Sequence, residues 1–197
     1  REIRERNLFI PCFDTSCDVS DPTVINTVIG LMEIAHDANV PYVVVCALND
    51  DENAVYSSLT ALLQKAEKLS VSILVKTSGI YSDTSRLRTL LESFASDRLA
   101  ALWDVHHTYR DFHESGDTTI KNLGSYVCHV HLRDSDDQGA YQMIGEGTMP
   151  IADVMQALGS VNYDGFISLE WKPEWMEDLQ DREIIFPYYV NYMSRFH

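Results

Sequence analysis

Three apolar runs in this chain end in residues that can bind metals or move protons. "LAALWDVHH" ends in Asp104, His106 and His107. "YVCHVHLRD" carries His129, His131, Arg133 and Asp134, and "FISLEWK" carries Glu170. Strand alternation places His129 and His131 on one face, with His131 nearer the strand end. An aspartate, a histidine and a glutamate converging at one mouth form a mixed nitrogen and oxygen set. Such a set suits manganese, magnesium, cobalt or zinc in a catalytic site with open positions. A fourth run of the same kind, "VSILVKTSG", ends instead in a cation, Lys76.

The elements that must position these residues follow a simple order. Short apolar runs, "LFIPCF" (8–13), "PYVVVCAL" (41–48), "VSILVK", "LAALWD", "YVCHVHL" and "FISLEW", alternate with segments of helical period. Asp21 and Pro22 mark the first helix start, and Val24, Val28, Leu31, Met32 and Ala35 share its apolar face. Gly124 stops a later helix, a further one spans about Pro150 to Leu158, and Ile184 to Phe196 closes the chain. The runs are continuously apolar rather than alternating, which suits a parallel sheet covered by helices. Six strand–helix units of about 30 residues fill the chain, whereas a complete eight-unit barrel takes about 250 residues. We therefore expect a partial (β/α)8 barrel over residues 1–197, a single domain lacking its first two units. A doubly wound sheet is the rival, but no strand is followed by a Gly-rich phosphate loop. In such barrels the active site lies at the C-terminal strand ends, where the polar residues above fall.

The chain has 197 residues, of which 45% are hydrophobic, enough for one sizeable core. It opens on "REIRERNLFIP", without an initiator methionine or a signal-peptide pattern, and reads as starting partway through a larger protein. No apolar stretch is long enough to cross a bilayer, so no membrane is expected. Cys12, Cys17, Cys46 and Cys128 show no paired C-x-x-C spacing, which fits a reduced, cytoplasmic protein. A Cys12–Cys17 redox pair is the alternative. The net charge of −15 argues against a nucleic-acid partner, which would need a basic stripe. The acid runs "NDDE" (49–52) and "DSDD" (134–137) read as solvated loops.

"LWDVHH", "HVHLRD", "GEGTMPI" and "YDGFISLEW" match D-x-x-H, H-x-H-[LIV]-[KR]-D, a G-x-G turn and G-[YF]-[IV]-S-[LIV]-E. In that order and spacing the chain, from about Leu8 to Trp171, resembles the xylose isomerase-like barrels, the sugar phosphate isomerase/epimerase group. The resemblance implies a small-molecule sugar or sugar phosphate as substrate and a divalent metal held by four strand-end ligands. Asp104, His131 and Glu170 match three of those ligands, and His107 matches the histidine that helps hold substrate. Glu170 would also transfer a proton beside the sugar carbonyl, while the metal polarises that carbonyl. Arg133 and Glu146 lie in motif loops that could touch substrate. Trp103, Tyr109, Tyr141, Trp171 and Trp175 could stack on a sugar face. "HTYRDFHESG" (107–116) is long and polar enough to serve as a lid.

Lys76 stands where the resemblance places the first metal-binding glutamate. Three readings are open. Lys76 could swing aside as a substrate-binding cation beside a weakened metal site, leaving an impaired isomerase or epimerase. Its ammonium could replace the metal in a catalytically inactive sugar-binding barrel. It could also form a Schiff base, although two neighbouring carboxylates would raise its pKa. Apurinic endonucleases share the barrel and part of the ligand pattern, but need more ligands and a positive groove. Two missing strands would leave open sheet edges beside "LFIPCF" and "FISLEW". Such edges invite a homo-oligomer or a missing N-terminal segment.

Overall fold

A computed structural model of the chain describes residues 5–6, 8–171 and 182–196. Its centre is a parallel sheet of six strands in the order β1-β2-β3-β4-β5-β8. These are β1 (Cys12–Asp18), β2 (Tyr42–Cys46), β3 (Ser72–Lys76), β4 (Leu99–Asp104), β5 (Val127–Leu132) and β8 (Ile167–Leu169). Between them run α1 (Ile25–Ala38), α2 (Glu52–Leu69), α3 (Thr84–Phe94), α4 (Gly116–Leu123) and α5 (Ile151–Ser160), and α6 (Arg182–Met193) follows β8. The six-unit partial barrel expected from the sequence is therefore the architecture found. Two short antiparallel strands, β6 (Asp134–Ser135) and β7 (Tyr141–Gln142), form a hairpin after β5, where the sequence pattern predicts a loop.

The sheet is curled. Six strands spaced about 4.8 Å apart in a flat sheet would hold the edge strands roughly 24 Å apart. Yet carboxylates from β1 (Asp14) and from just after β8 (Glu170) reach the same ammonium on β3. Only a sheet bent towards a barrel axis brings them together.

Each strand divides the molecule into two layers. Its outward residues, such as Val43, Val45, Ile73, Val75, Ala101, Trp103, Val130 and Leu132, pack under the helices in the main core. The inward face carries a small second core of Val44, Leu74 and Leu102, with Cys12, Tyr42, Ala100 and Cys128 against it. Above that floor the inward face becomes polar. Register places Asp104 beside His131, and His131 beside Ser168.

The first strand departs from expectation. It runs through Cys12–Asp18 rather than residues 8–13, and Leu8 and Phe9 are exposed. Pro11 cannot donate to a ladder, and pairing with β2 begins one residue later at Cys12. Cys12 and Cys17 lie five residues apart along this strand and are both free thiols. At about 3.3 Å per residue they lie well beyond the roughly 7 Å Cα separation that a disulfide spans, so no redox pair exists in this fold. Asp21 caps a 3-10 turn, Pro22–Val24, that leads into α1. α5 runs on through Gly159 to Ser160.

One glycine fixes the exit of β3. Gly79 has φ +59, and a Cβ placed on it would overlap the Ala47 carbonyl oxygen. That same oxygen accepts from the Ile80 amide at 3.1 Å, locking the turn after Lys76 onto the end of β2. Gly79→Ala should destabilise the fold by about 3 kcal/mol, since it adds a backbone overlap to a left-handed conformation. Chemical denaturation of the two proteins would check this.

Candidate active site

Lys76 is the last residue of β3 and only 9% exposed, so its charge must be paired inside the protein. Its Nζ lies 3.3 Å from Asp14 Oδ2, 3.3 Å from Asp104 Oδ2 and 3.1 Å from Glu170 Oε1. Arg133, also buried, places Nη1 3.2 Å from Asp104 Oδ2 and against Glu170 Oε2. Carboxylates from β1, from β4 and from just after β8 thus share two fixed cations. Strand alternation produces this, because Asp14, Lys76, Asp104 and His131 all occupy inward positions, the last three at or next to the ends of their strands.

His131 completes the cluster. Its Nδ1 is 3.8 Å from Asp14 Oδ2 and 3.9 Å from Glu170 Oε2, close but not hydrogen-bonded. Burial, reinforced by the nearby Lys76 charge, pushes its pKa down to about 3, so the ring is neutral at pH 7. Asp104 is wholly buried; that alone would raise its pKa, but the charges of Arg133, His107 and Lys76 outweigh burial and hold it low. His107 stands at the rim. Its backbone N–H donates to Asp104 Oδ1 at 3.3 Å, and its Nδ1 lies 2.6 Å from Asp111 Oδ2.

The structure thus brings together Lys76, Asp104, His131, Glu170, Arg133 and His107. It also adds Asp14, which the sequence reading did not single out. Asp14 directly follows the apolar run "LFIPCF", and that terminal position is the available signal. Two sequence-selected residues lie elsewhere. Trp103 faces away from the cluster, 1% exposed in the outer core, where its indole N–H donates to Thr108 Oγ1 at 3.0 Å. It alternates with the inward Asp104 and cannot stack on a ligand at the mouth. Glu146 is exposed in the G-x-G turn, where its Oε1 accepts from the Tyr188 hydroxyl at 3.2 Å.

That turn is organised by Asp134. Expected in a solvated acid run, Asp134 is instead buried and accepts from the backbone N–H groups of Ser135, Gly145, Gly147 and Met149. A Cβ at Gly147 would overlap its Oδ1, which explains the second glycine of the motif. The segment expected as a lid, 107–116, begins with a π-helical turn, His107–Asp111. Arg110 pins it by donating to Ser135 Oγ, Ser135 O and Thr148 Oγ1. Beside the cluster lies a crevice that Arg133 and Glu170 share with Tyr141, Met143, Ile144, Leu169, Trp171, Ile185 and Tyr188. Trp175 lies outside the described residues.

A divalent metal does not fit the family's position in this arrangement. Every carboxylate that would ligate it already faces the Lys76 ammonium at hydrogen-bonding distance, and Arg133 claims Asp104 and Glu170 as well. A dication placed among them would meet two fixed positive charges in a poorly screened site. Asp14, His131 and Glu170 do offer ligand atoms within 4.8 Å of one another, but only if Lys76 leaves.

A family model described as xylose isomerase-like TIM barrel matches residues 1–185. Among solved structures, D-allulose 3-epimerase from Methylomonas sp. superposes with a TM-score of 0.80 at 14% identity, covering 99% of this chain and 80% of that one. Endonuclease IV from Thermus thermophilus gives 0.75 at 17% identity, covering 100% and 79%. A D-tagatose 3-epimerase-like protein gives 0.73 at 18%, covering 100% and 83%. At these identities the likeness is one of fold. An uncharacterized protein of Methanocaldococcus jannaschii is 27% identical over 130 residues, with 59% of this chain covered. The match spans only 42% of that curated relative's length.

The buried imidazoles set a pH dependence. His106 and His129 have pKa values pushed down to about 4 by burial first, and His131 to about 3. Each binds its proton more readily in the unfolded chain, at an ordinary pKa of about 6.5. Their contribution is therefore complete above pH 6.5 and lost as pH falls towards 4. Each histidine should steepen that loss by about 1.4 kcal/mol per pH unit. Urea titrations across this range should show the decline, and His129→Gln should remove one proton's worth of slope.

Proposed function

We propose that this chain, which belongs to the xylose isomerase-like TIM barrel family, is a sugar-binding barrel in which the Lys76 ammonium replaces the divalent metal. One observation carries this reading: Lys76 Nζ lies within 3.3 Å of Asp14, Asp104 and Glu170 at once. Charge supports it. A lysine contributes +1, and a glutamate with a divalent cation contributes −1 + 2 = +1, so the exchange preserves the electrostatic balance of the mouth. Ketoses and their phosphates present hydroxyl and carbonyl oxygens that such a cluster can bind, with Arg133 as donor, His107 at the rim and the adjacent crevice taking the apolar face. The unit would be a single domain over residues 1–197. Its net charge of −15 disfavours nucleic acid.

Catalysis is weakened by the same geometry. Glu170 is the proton-transfer group that the family resemblance assigns, but it is held by both Lys76 and Arg133. A carboxylate stabilised by two cations is a poor base. A second reading, a metal-dependent sugar isomerase or epimerase impaired by Lys76, draws on the Asp14, His131 and Glu170 group. It requires Lys76 to swing out and manganese, magnesium, cobalt or zinc to enter.

Manganese separates the two readings, because it prefers oxygen ligands. Calorimetry of the purified chain should show ketose binding and no Mn²⁺ uptake, and NMR should show no ketose–aldose interconversion. Lys76→Glu should bind about one Mn²⁺ per chain. Mn²⁺ uptake with turnover by the unmodified chain would replace this reading with the metal enzyme, and no binding across ketoses and ketose phosphates would remove the sugar-binding role. Among the described residues β1 and β8 each pair on one side only, although the Tyr189 hydroxyl donates to Ile167 O on the outer side of β8, so we propose pairing with a second copy or with a further segment of the protein. Light scattering that reads the mass of one chain would count against self-pairing.

A further inference from the structure

Below the acid cluster lies a second set of donor atoms of different chemical character. Cys12, on the edge strand β1, and His129 and His131, on β5, each offer one ligand atom, and the three atoms lie within 4.8 Å of one another. The two imidazoles are buried and cross edge to face with centroids 5.2 Å apart, while Cys12 is partly exposed. Nδ1 of His129 and Nδ1 of His131 are both buried without a hydrogen-bond partner. A buried polar atom left unpaired costs stability and calls for an explanation. The other nitrogen of His129, Nε2, lies 3.0 Å from Ser168 Oγ. For His129 this is the arrangement of a ligating histidine, in which one ring nitrogen is held by a hydrogen-bonding partner and the other is left without one.

We propose that Cys12, His129 and His131 form a binding site for a borderline-soft divalent cation such as zinc, beneath the Lys76 cluster and sharing His131 with it. One thiolate and two imidazoles are the donors such an ion selects, whereas the carboxylate cluster above suits harder ions. Bound at about 2.0 to 2.3 Å from each donor, the ion would draw the three atoms to about 3.5 Å apart, within reach of small side-chain rotations. The fourth tetrahedral position would fall on the partly exposed Cys12 side. An imidazole ligates in its neutral form, which is its ordinary form at pH 7. Only Cys12 must ionise. The thiol S–H bond breaks, a sulfur–metal bond forms and one proton passes to solvent, so uptake is weaker in acid. The site uses none of the three carboxylates and shares only His131 with the cluster above, so it does not require the sugar-binding reading.

Cobalt tests it on the reduced full chain, freed of metal by chelator. Co²⁺ should bind near one per chain and give a near-ultraviolet thiolate-to-cobalt charge-transfer band, which Zn²⁺ then displaces. Cys12→Ser should abolish the band while circular dichroism shows an intact fold. Ser168→Ala should weaken Zn²⁺ binding about 10- to 100-fold through the loss of its support to His129. Glu170→Gln should leave the band in place. Absence of a thiolate band at saturating Co²⁺ would overturn the proposal. So would Zn²⁺ binding that survives Cys12→Ser but is lost in Glu170→Gln, since that would put the ion in the acid cluster.

Discussion

The Lys76 ammonium is the charge on which the mouth of this barrel depends. Curling the sheet forces the carboxylates of Asp14, Asp104 and Glu170 towards one point, where without a cation they would repel at low dielectric. Lys76 and Arg133 reduce a formal −3 to −1, and His131 stays neutral beside them. Such a network, buried apart from the exposed Asp14, is seldom a large net source of stability, because desolvation consumes most of the Coulombic gain. What it supplies is an arrangement: each partner, if removed, leaves charges that have nowhere else to go.

The fold holds that arrangement from beneath. Val44, Leu74 and Leu102 close the barrel floor, so the polar layer rests on packed side chains rather than water. Gly79 clamps the end of β3 to β2, and Asp134 gathers four backbone N–H groups to hold the G-x-G turn beside Arg133. The acid that looked like a solvated loop residue is thus a structural anchor.

Much of this was legible because parallel strands make positions equivalent. Asp104, His131 and Glu170 were found as polar ends of apolar runs, and Lys76 as the exception among them. Asp14 follows "LFIPCF" directly, as Asp104 ends "LAALWD", so the same pattern marks it; the strand itself runs four residues later because Leu8 and Phe9 are exposed. Trp103 was misplaced. An aromatic next to an inward aspartate had to face the helices, and composition alone could not show it. The burial of Asp134 depends on amides from a turn eleven to fifteen residues away, which no local pattern displays.

His131 joins the two polar levels of the interior, with Nδ1 near Asp14 and Glu170 and the ring stacked edge to face on His129. The levels are compatible in charge. A dication held by one thiolate adds +1 below a cluster whose formal sum is −1, so filling the lower site would neutralise the interior. The cost falls on Cys12, whose pKa is raised to about 11 by burial first and then by the Asp14 charge. An ion must supply enough bond energy to displace that proton, which discriminates against weakly thiophilic cations such as magnesium or manganese. The strand that carries Asp14 to the ammonium therefore also carries, two residues earlier, the group that would decide which metal enters.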